Sequence, residues 1–521
     1  MAKRKRENAG QVSAAKALKT RKAVDEDPAA PKKAAVVKAK ESATNGTVIA
    51  NKSKAATSSA PAETGSETET TTVQIITGSY ERVLHGFAAT IPRSLTTGQQ
   101  DASKEDAEKP KVDFTDTFLF NAHASAIRCL ALSPLSEETS KVMLATGSTD
   151  ERINLYSLST APPVISKSQP KLPSLNGASI TENPKNKELG TLLHHASNIT
   201  ALHFPSRSKL LSAAEDSTVA ITRTRDWTVL STIKAPIPKP QGRPSGDTAG
   251  PGEVPSGVND FAVHPTGKLM LSVGKGEKCM RLWNMMTAKK AGVLNFDREI
   301  LTAVGEGRFG SGEGRRVVWG KAGEAFAVAF ERGIVVFNID SKPTAKIAPT
   351  PRTKIHQMHY LPSESHQSIL LVSTEDGRVL LYDTTDTSTA TNEGTTEKVT
   401  KDDIPLSRLV AQIGGPGAGI SGRVKDFEIL PISASTFIVI TGSSDGTIRT
   451  WSLDIKDLEV DDKAGEGTGF TAKQVGKLLG TYTTGTRVTC LKAFIMTGTP
   501  DAEEDEEMLD KEEASSSDDS E

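Results

Sequence analysis

The segment "TGSSDGTIRTWSL", residues 441–453, is the clearest copy of a pattern that recurs through the middle of this 521-residue chain. Small residues follow an apolar run, a polar turn falls at Asp445 and Gly446, and alternating apolar residues then lead to Trp451. Two runs of period-two hydrophobicity around a tight polar turn are typical of a β-hairpin. The segment therefore predicts two antiparallel strands joined at Asp445.

Copies of this hairpin occur five more times, and a further apolar strand precedes and follows nearly every copy. Four-stranded units at intervals of roughly 45–70 residues are typical of the blades of a β-propeller, because one such sheet cannot bury its own faces. The copies are "ATGSTDERINLYSL" (145–158), "LSAAEDSTVAITRT" (211–224), "LSVGKGEKCMRLWNM" (271–285), "LVSTEDGRVLLYD" (371–383) and, more loosely, "EAFAVAFERGIVVFNID" (324–340).

The two ends of the repeat region complement each other. The stretch "TGSYERVLHGF" (77–87) repeats the hairpin spacing with Glu81 in the turn, but only polar residues precede it. Conversely, "TRVTCLKAFI" (486–495) has the pattern of an inner strand, and no hairpin follows it. Together they complete one blade, which would close the ring without a free sheet edge. We predict an all-β, seven-bladed propeller over residues 73–495, with blade one shared between residues 73–123 and 486–495.

Both ends of the chain are tails of opposite charge. Residues 1–60 contain 14 Lys or Arg against 5 Asp or Glu, a net charge of +9, whereas residues 501–521 have a net charge of −11. Segments with such charge and few apolar residues cannot build a core. We therefore predict disordered tails, basic over residues 1–72 and acidic over residues 496–521.

The basic tail begins with four adjacent cations, Lys3, Arg4, Lys5 and Arg6. Such a cluster on a flexible end predicts a nuclear-import signal, because an import receptor can capture it, and it also favours nonspecific contact with nucleic acid. The alternative is a solvated tail that keeps the protein soluble.

Composition argues against several other classes of protein. The three cysteines, Cys129, Cys279 and Cys490, are far apart and form no CxxC motif, so neither a disulfide framework nor a zinc site is predicted. No apolar run approaches the ~20 residues that a membrane-spanning helix needs, so no membrane partner is expected.

The sequence predicts no catalytic residues, no cofactor-binding residues and no metal ligands. A GxGxxG match at Gly305–Gly310 lies among predicted strands with no helical periodicity nearby, whereas a dinucleotide site needs a strand and a helix around it. We therefore expect a binding platform, not an enzyme, with no small-molecule substrate. The locally basic segments 166–174 and 342–354 are candidates for contacts with rRNA or acidic proteins.

The repeats resemble those of the WD-repeat family, and Trp451-Ser452 is closest to the dipeptide that names it. In that family a buried, hydrogen-bonded set of His, Ser or Thr, Asp and Trp stabilises a blade. The resemblance implies three such sets here, with structural roles. They are His123, Thr146 and Asp150 with Tyr156 at the tryptophan place; His195, Ser212 and Asp216 with Thr222 at that place; and Thr441, Asp445 and Trp451 without a histidine.

Residues 73–495 are further similar to the kinase-interacting WD-repeat subgroup that includes the maintenance-of-killer ribosome-assembly factor of yeast. The similar segments include "GSYERVLHGF" (78–87), "LLHHASNITALHF" (192–204) and "HPTGKLMLSVG" (264–274). The resemblance implies a non-catalytic scaffold that assists assembly of the large (60S) ribosomal subunit in the nucleolus and nucleus. Its expected partners are proteins of the pre-60S particle, with rRNA as a further candidate.

The same resemblance leaves a second function open, negative regulation of a Ste20-like protein kinase by a signalling scaffold. A third class, adaptors for chromatin or ubiquitin ligases, has no specific support in the residues. Relatives in the subgroup often end in a lysine-rich tail, whereas this chain ends in an acidic one. A function that depends on a basic C-terminal tail is therefore not carried over.

Overall fold

The computed structural model describes residues 70–97, 111–136, 139–162, 185–237, 256–306, 310–388, 404–458 and 469–497. These residues form 28 β-strands, two short α-helices, α1 (Arg93–Thr97) and α2 (Arg298–Ala303), and three single-turn 3-10 helices at Pro416–Ala418, Ile455–Leu458 and Gly469–Thr471. No helix in the described ranges has the length and apolar character that crossing a membrane requires. The predicted tails lie almost entirely outside the described residues, as do Lys3–Arg6 and segment 166–174.

The strands follow one another at short intervals. Those of the first half are β1 (Thr70–Ser79), β2 (Val83–Pro92), β3 (Asp113–Asn121), β4 (Ile127–Leu132), β5 (Lys141–Ser148), β6 (Ile153–Ser159), β7 (Lys187–Leu192), β8 (Ile199–Ser206), β9 (Lys209–Ala214), β10 (Thr218–Arg223), β11 (Val229–Lys234), β12 (Val258–Val263), β13 (Leu269–Gly274) and β14 (Cys279–Asn284). Those of the second half are β15 (Lys289–Asn295), β16 (Arg316–Trp319), β17 (Ala325–Ala329), β18 (Ile334–Asn338), β19 (Pro343–Ile347), β20 (Ile355–Tyr360), β21 (Ile369–Thr374), β22 (Arg378–Ser388), β23 (Leu406–Gly414), β24 (Val424–Pro431), β25 (Thr436–Ser443), β26 (Thr447–Asp454), β27 (Lys477–Thr483) and β28 (Val488–Ile495).

Within the described residues the strands pair into seven antiparallel units of four, which we call blades. Five sheets have four strands in sequence order or close to it, and a sixth, of eight strands, consists of two such units. Those two, β16–β19 and β20–β23, are joined at their outer strands by a single parallel pairing of Lys346 with Leu406. The all-β propeller fold is confirmed, and the arrangement is consistent with seven blades.

Blade one joins the two ends of the repeat region. Its order is β28-β1-β2-β3, and β1 pairs with β28 from Val73↔Ile495 to Ser79↔Val488. β1 begins at Thr70, three residues before the predicted start. The first strand of every other blade is also its innermost strand, and the seven innermost strands contact one another in a closed circle.

The core is divided among the seven interfaces between neighbouring blades. Each of the seven hydrophobic clusters in the described residues draws its side chains mainly from two adjacent blades. Between blades seven and one, for example, Ile438 and Ile440 pack with Phe87 and Leu491. Burial of one such side chain stabilises the fold by about 1.5–3 kcal/mol, so the free energy is distributed around the ring.

Glycine in the repeated Thr-Gly-Ser segments is required by contact between blades. A Cβ atom on Gly147 would lie 2.6 Å from Cγ2 of Ile199 in the next blade, and one on Gly78 would lie 2.6 Å from Cγ2 of Ile127. Both isoleucines are fully buried at the start of an inner strand. In these two copies the glycine of the hairpin therefore allows the neighbouring blade to approach.

Arg378 fixes the segment Gly469–Thr471, which precedes β27, to the ring. Its side chain is 1% exposed, and its Nη1 donates to the carbonyl oxygen of Gly469 at 3.1 Å while its Nη2 donates to that of Thr350 at 3.1 Å. Oδ2 of Asp376 lies 2.6 Å from Nη2 of Arg378, and the centre of the Phe470 ring lies 4.7 Å from the guanidinium carbon. One buried cation thus ties together chain segments from three blades.

One expectation about local structure was wrong. The sequence indicated no helical periodicity near Gly305, but α2 ends two residues before it. Ile300 of α2 is buried in the cluster between blades four and five, so packing stabilises a six-residue helix that is too short to show a period. The helix precedes the glycine, whereas a dinucleotide site needs a helix after it.

The contact at Gly147 yields a first prediction. Gly147→Ala should lower the free energy of unfolding by about 1–3 kcal/mol, because the added methyl group forces Ile199 away. Gly292→Ala is the matched control, since a Cβ on that strand glycine would meet nothing closer than 3.8 Å. Urea denaturation followed by circular dichroism measures both. Equal effects of the two substitutions would contradict the role given to Gly147.

Closure through blade one yields a second prediction. A chain that ends at Gly485 lacks β28, which leaves β1 without its partner strand and exposes Ile75 and Ile76. We expect this chain to lose cooperative thermal unfolding, whereas a chain that ends at Pro500 should melt as the full chain does. Near-ultraviolet circular dichroism during heating distinguishes them. A normal melt of the shorter chain would show that the ring does not depend on β28.

Candidate functional site

The first predicted set is hydrogen bonded as a unit. Nδ1 of His123 lies 3.1 Å from Oδ2 of Asp150, and its Nε2 lies 2.7 Å from Oγ1 of Thr146. Asp150 also accepts the backbone N–H of Ala124, so the set ties the loop before β4 to the turn between β5 and β6. Burial lowers the pKa of His123, which leaves its ring neutral at pH 7. Tyr156 packs its ring against Phe120, 5.8 Å away.

The second set has the same form in blade three. His195 places Nδ1 3.1 Å from Oδ2 of Asp216 and Nε2 2.8 Å from Oγ of Ser212. Burial alone would raise the pKa of Asp216, but hydrogen bonds from His195 and Thr218 outweigh it and hold that pKa below its usual range. Thr222, at the tryptophan place, is buried, and its hydroxyl has no hydrogen-bond partner among the described residues.

The third set connects two strands without a histidine. Nε1 of Trp451 donates to Oγ1 of Thr441 at 3.3 Å, and Asp445 accepts the backbone N–H of Thr447 at 2.9 Å. Trp283 makes the equivalent bond to Ser272 at 2.7 Å, a pair that the sequence analysis did not assign. The tryptophan place therefore provides an N–H donor in blades four and seven, whereas in blade two it holds the packed ring of Tyr156.

Reactive or metal-binding groups were not expected. In the described ranges, no three side chains of His, Cys, Asp or Glu gather at a spacing suited to a metal ion. The three cysteines are free thiols, and burial raises the pKa of Cys129 to about 12, which keeps that thiol protonated.

The inner strands begin at one end of the central channel, which we call the mouth. Six of these strands have the same β-bulge near their first residue. Pairing register breaks at the second residue of six inner strands. A β-bulge of this kind leaves one residue unpaired and re-aims its side chain. These six residues, with Arg316 at the start of β16, form what we call the mouth ring. Its members in blade order are Thr489, Arg128, Thr200, Asn259, Arg316, His356 and Lys425.

The mouth is a basic cavity of about 610 Å³. Five cationic side chains line it, together with His356, the hydroxyl groups of Ser125, Thr149 and Thr489, and the ring of Tyr80. Beneath it the channel continues as a second cavity of about 630 Å³, lined by all seven inner strands. The five cations are Arg82, Arg128, Arg316, Lys425 and Arg487.

The concentration of positive charge at the mouth contributes to lowered pKa values of two residues, Lys425 and His356. Burial, followed by the repulsion of Arg423 and Lys354, lowers the pKa of Lys425 although Glu375 opposes the shift. Burial and the nearby Lys425 lower the pKa of His356 to about 3, so its ring is neutral. Nε2 of this ring lies 3.3 Å from Nζ of Lys425. The mouth is therefore charged by Arg and Lys and not by histidine.

Deeper in the channel the charges neutralise each other. Nζ of Lys492 lies 2.6 Å from Oε2 of Glu428, and Oδ2 of Asp426 accepts the backbone N–H of Leu491 at 2.9 Å. Asp260 accepts the N–H of Val317 at 3.1 Å and pairs with Arg316, whose Nη1 lies 3.8 Å from its Oδ1. Of the five cations that line the mouth, the other four therefore form no ion pair among the described residues.

Sequence reasoning missed the mouth. It pointed instead to segment 342–354, of which Lys354 reaches the rim of the mouth and lies 4.0 Å from Glu331. A signal was available: the residue after the first apolar position of an inner strand is basic in "SAIRC" (125–129) and "RVKDF" (423–427). These positions are seen to line one cavity only when the inner strands are arranged around the central channel.

Comparison with known proteins agrees with this architecture. A family model described as "WD domain, G-beta repeat" matches residues 114–157 and 186–222, which contain all of the first and second sets. The chain is 28% identical over 403 residues to Protein MAK11 of Saccharomyces cerevisiae, a match that covers 74% of this chain and 78% of that protein.

This chain therefore contains WD repeats and is similar to proteins of the MAK11 and kinase-interacting subgroup. It is 23% identical over 426 residues to the p21-activated protein kinase-interacting protein 1-like of Xenopus laevis, covering 82% of this chain and 83% of the relative. Shk1 kinase-binding protein 15 of Schizosaccharomyces pombe is 22% identical over 399 residues, covering 77% and 83%. WD-repeat proteins of this kind are generally scaffolds, and the predicted resemblance is confirmed.

The depressed pKa of Asp216 predicts a pH dependence of this WD-repeat protein's stability. A carboxylate whose pKa is lower in the folded than in the unfolded state stabilises the fold above its unfolded pKa. The stability difference between the wild type and Asp216→Asn should therefore be full at pH 7 and shrink as the pH falls below about 5. Urea denaturation at pH 7, 5, 4 and 3 measures it. Asp340→Asn, at an exposed turn, should show no such trend; a parallel trend would contradict this role of Asp216.

Proposed function

We propose that this WD-repeat protein is a non-catalytic scaffold that acts as an assembly factor for the large (60S) ribosomal subunit in the nucleolus. The observation that carries the proposal is the similarity to yeast MAK11 along three quarters of both chains. That similarity agrees with the ribosome-assembly role implied by the subgroup. In this role the propeller is a rigid platform that holds proteins of the pre-60S particle.

The charge distribution supports the same role. A pre-ribosomal particle is rich in phosphate, and the mouth offers a concentrated field of positive charge to such a partner. The cluster Lys3–Arg6 would supply nuclear import, which a nucleolar factor requires. We propose residues 73–495 as the unit that docks on the particle.

A second candidate function is negative regulation of a Ste20-like protein kinase. The names of two relatives favour it, since the Xenopus laevis protein is a p21-activated protein kinase-interacting protein 1-like and the Schizosaccharomyces pombe protein is a Shk1 kinase-binding protein. Both matches extend over most of the chain, so the propeller is also the part that would bind a kinase. The two functions differ in compartment and in whether RNA accompanies the protein.

Affinity purification of the tagged full chain tests the assembly role. We expect precursor rRNA of the large subunit to copurify with it, together with pre-60S proteins, because a particle-bound scaffold carries its particle through a gentle isolation. Sizing and sequencing of the copurified RNA measure the enrichment. The control is Lys3→Ala, Arg4→Ala, Lys5→Ala and Arg6→Ala combined, which should reduce nuclear signal and enrichment together.

Two results would contradict the assembly role. One is the absence of large-subunit precursors from a preparation in which the tagged chain is nuclear. The other is a preparation dominated by a protein kinase with no RNA, which would favour the second candidate.

A further inference from the structure

We propose that the mouth is a binding site for single-stranded RNA, in which the basic side chains hold successive phosphates and Tyr80 stacks on a base. The choice of RNA rests on the proposed function, but the site itself is defined by the contacts of the mouth. Three cations carry the argument, and we call them the mouth cations: Arg128, Lys425 and Arg487.

The mouth cations lack acidic partners, unlike the cations at the rim. Glu375 lies 3.2 Å from Arg423, and Glu331 lies 3.5 Å from Arg315. Within the described residues, by contrast, the side chains of the three mouth cations form no ion pair with a carboxylate. Glu81 accepts only the backbone N–H of Arg487, at 2.9 Å, and Glu375 acts on Lys425 at longer range. Arg128 and Arg487 are exposed, and Lys425 is half-buried. Their charge is therefore available to a ligand.

The ring holds these cations together against their mutual repulsion. Lys425 is placed by the bulge in β24 and Arg128 by the bulge in β4, while Arg487 directly precedes β28. All three line one cavity of about 610 Å³, within the range of roughly 300–1,000 Å³ typical of ligand sites. Because the strands are fixed by blade packing, the positive charge is present before a ligand arrives.

An exposed aromatic side chain distinguishes RNA from other polyanions. Tyr80 is 60% exposed at the turn between β1 and β2, and the guanidinium of Arg487 lies 5.6 Å from the centre of its ring. Proteins that bind single strands combine a basic groove with aromatic side chains on which bases stack. A phosphorylated acidic peptide would use the cations but would leave Tyr80 without a partner.

Hydroxyl groups at the mouth suit a ribose as well as a phosphate. Ser125 and Thr149 bond to each other at 2.5 Å and line the cavity beside Arg128. Each hydroxyl can donate or accept, as contacts with the 2′-hydroxyl of RNA require. Cations, hydroxyls and an aromatic ring thus meet within one cavity.

The test uses the full chain and a fluorescein-labelled 15-nucleotide oligouridine, with binding followed by fluorescence anisotropy. The mouth variant combines Arg128→Ala, Lys425→Ala and Arg487→Ala. We expect its affinity to fall about tenfold or more, and the slope of log affinity against log salt to decrease by about 2, because each lost phosphate contact removes roughly 0.7.

The matched control removes the same charge from the opposite end of the blades. Lys187, Lys289 and Lys477 are each the exposed first residue of an outer strand, and the strand pairing places them far from the mouth. Substitution of all three by Ala should leave affinity within about twofold of the wild type. Both triple variants are compared with the Lys3–Arg6 variant described above, which reports the contribution of the basic tail.

Stacking is tested separately from charge. Tyr80→Ala should weaken oligouridine binding by about 5- to 150-fold, whereas Tyr80→Phe should retain it, since stacking of one base contributes roughly 1–3 kcal/mol. Tyr80 is exposed, so neither substitution disturbs the core. If the mouth triple variant does not fold, Arg487→Glu alone replaces it, because Arg487 is exposed and its expected loss is also tenfold or more.

Three outcomes would overturn the inference. Unchanged oligouridine binding by the mouth variant would assign RNA binding to the tail. Equal affinities of Tyr80→Ala and the wild type would remove the stacking role and leave only a general anion site. Displacement of the RNA by an unlabelled phosphorylated acidic peptide at lower concentration than by unlabelled oligouridine would identify a phosphoprotein as the occupant. If the mouth binds RNA but the tagged chain enriches no precursor rRNA, the site stands and the ribosomal role fails.

Discussion

The antiparallel pairing of β28 with β1 is the constraint on which the rest of the structure depends. Every other blade is formed by consecutive strands, but blade one joins residues more than 400 positions apart. Without that pairing, the hydrophobic clusters on both sides of blade one would each lose side chains from one of the two blades that form them. A ring of blades has no independent parts, because each sheet is covered only by its neighbours. The chain therefore folds as a circle in which the last strand completes the first sheet.

Much of this architecture could be predicted from local pattern, for a physical reason. Each hairpin needs a tight turn, and the Thr-Gly-Ser copies also need a glycine where the next blade approaches, as at Gly147 and Gly78. The hydrogen-bonded sets were predicted from the resemblance to the WD-repeat family and not from spacing alone; in the first two, the histidine precedes an inner strand and the aspartate occupies the turn beside it. The short helix α2 was not predictable, because tertiary packing of Ile300 and not periodicity stabilises it.

The candidate site could not be found in the same way. Arg128, Lys425 and Arg487 belong to three different blades, and no short segment contains more than a pair of the basic residues around the mouth. These residues come close together only when the ring closes. The orientation of Arg128 and Lys425 is set by bulges that break the regular alternation of their strands. Sequence patterns describe a single blade well, but the candidate site forms only where residues of several blades meet around the central channel.

Closure and charge are linked through the mouth. Burial and repulsion from neighbouring cations lower the pKa of Lys425, which means that part of the folding free energy holds its ammonium group in an unfavourable place. A phosphate bound there would compensate the repulsion and raise that pKa again, since the effects of the proton and the anion on each other are reciprocal. The ring would then gain stability from the ligand that it organises. On this argument the basic mouth is a cost to the isolated propeller that the proposed RNA-bound state offsets, which explains in physical terms why the cations can be left without acidic partners.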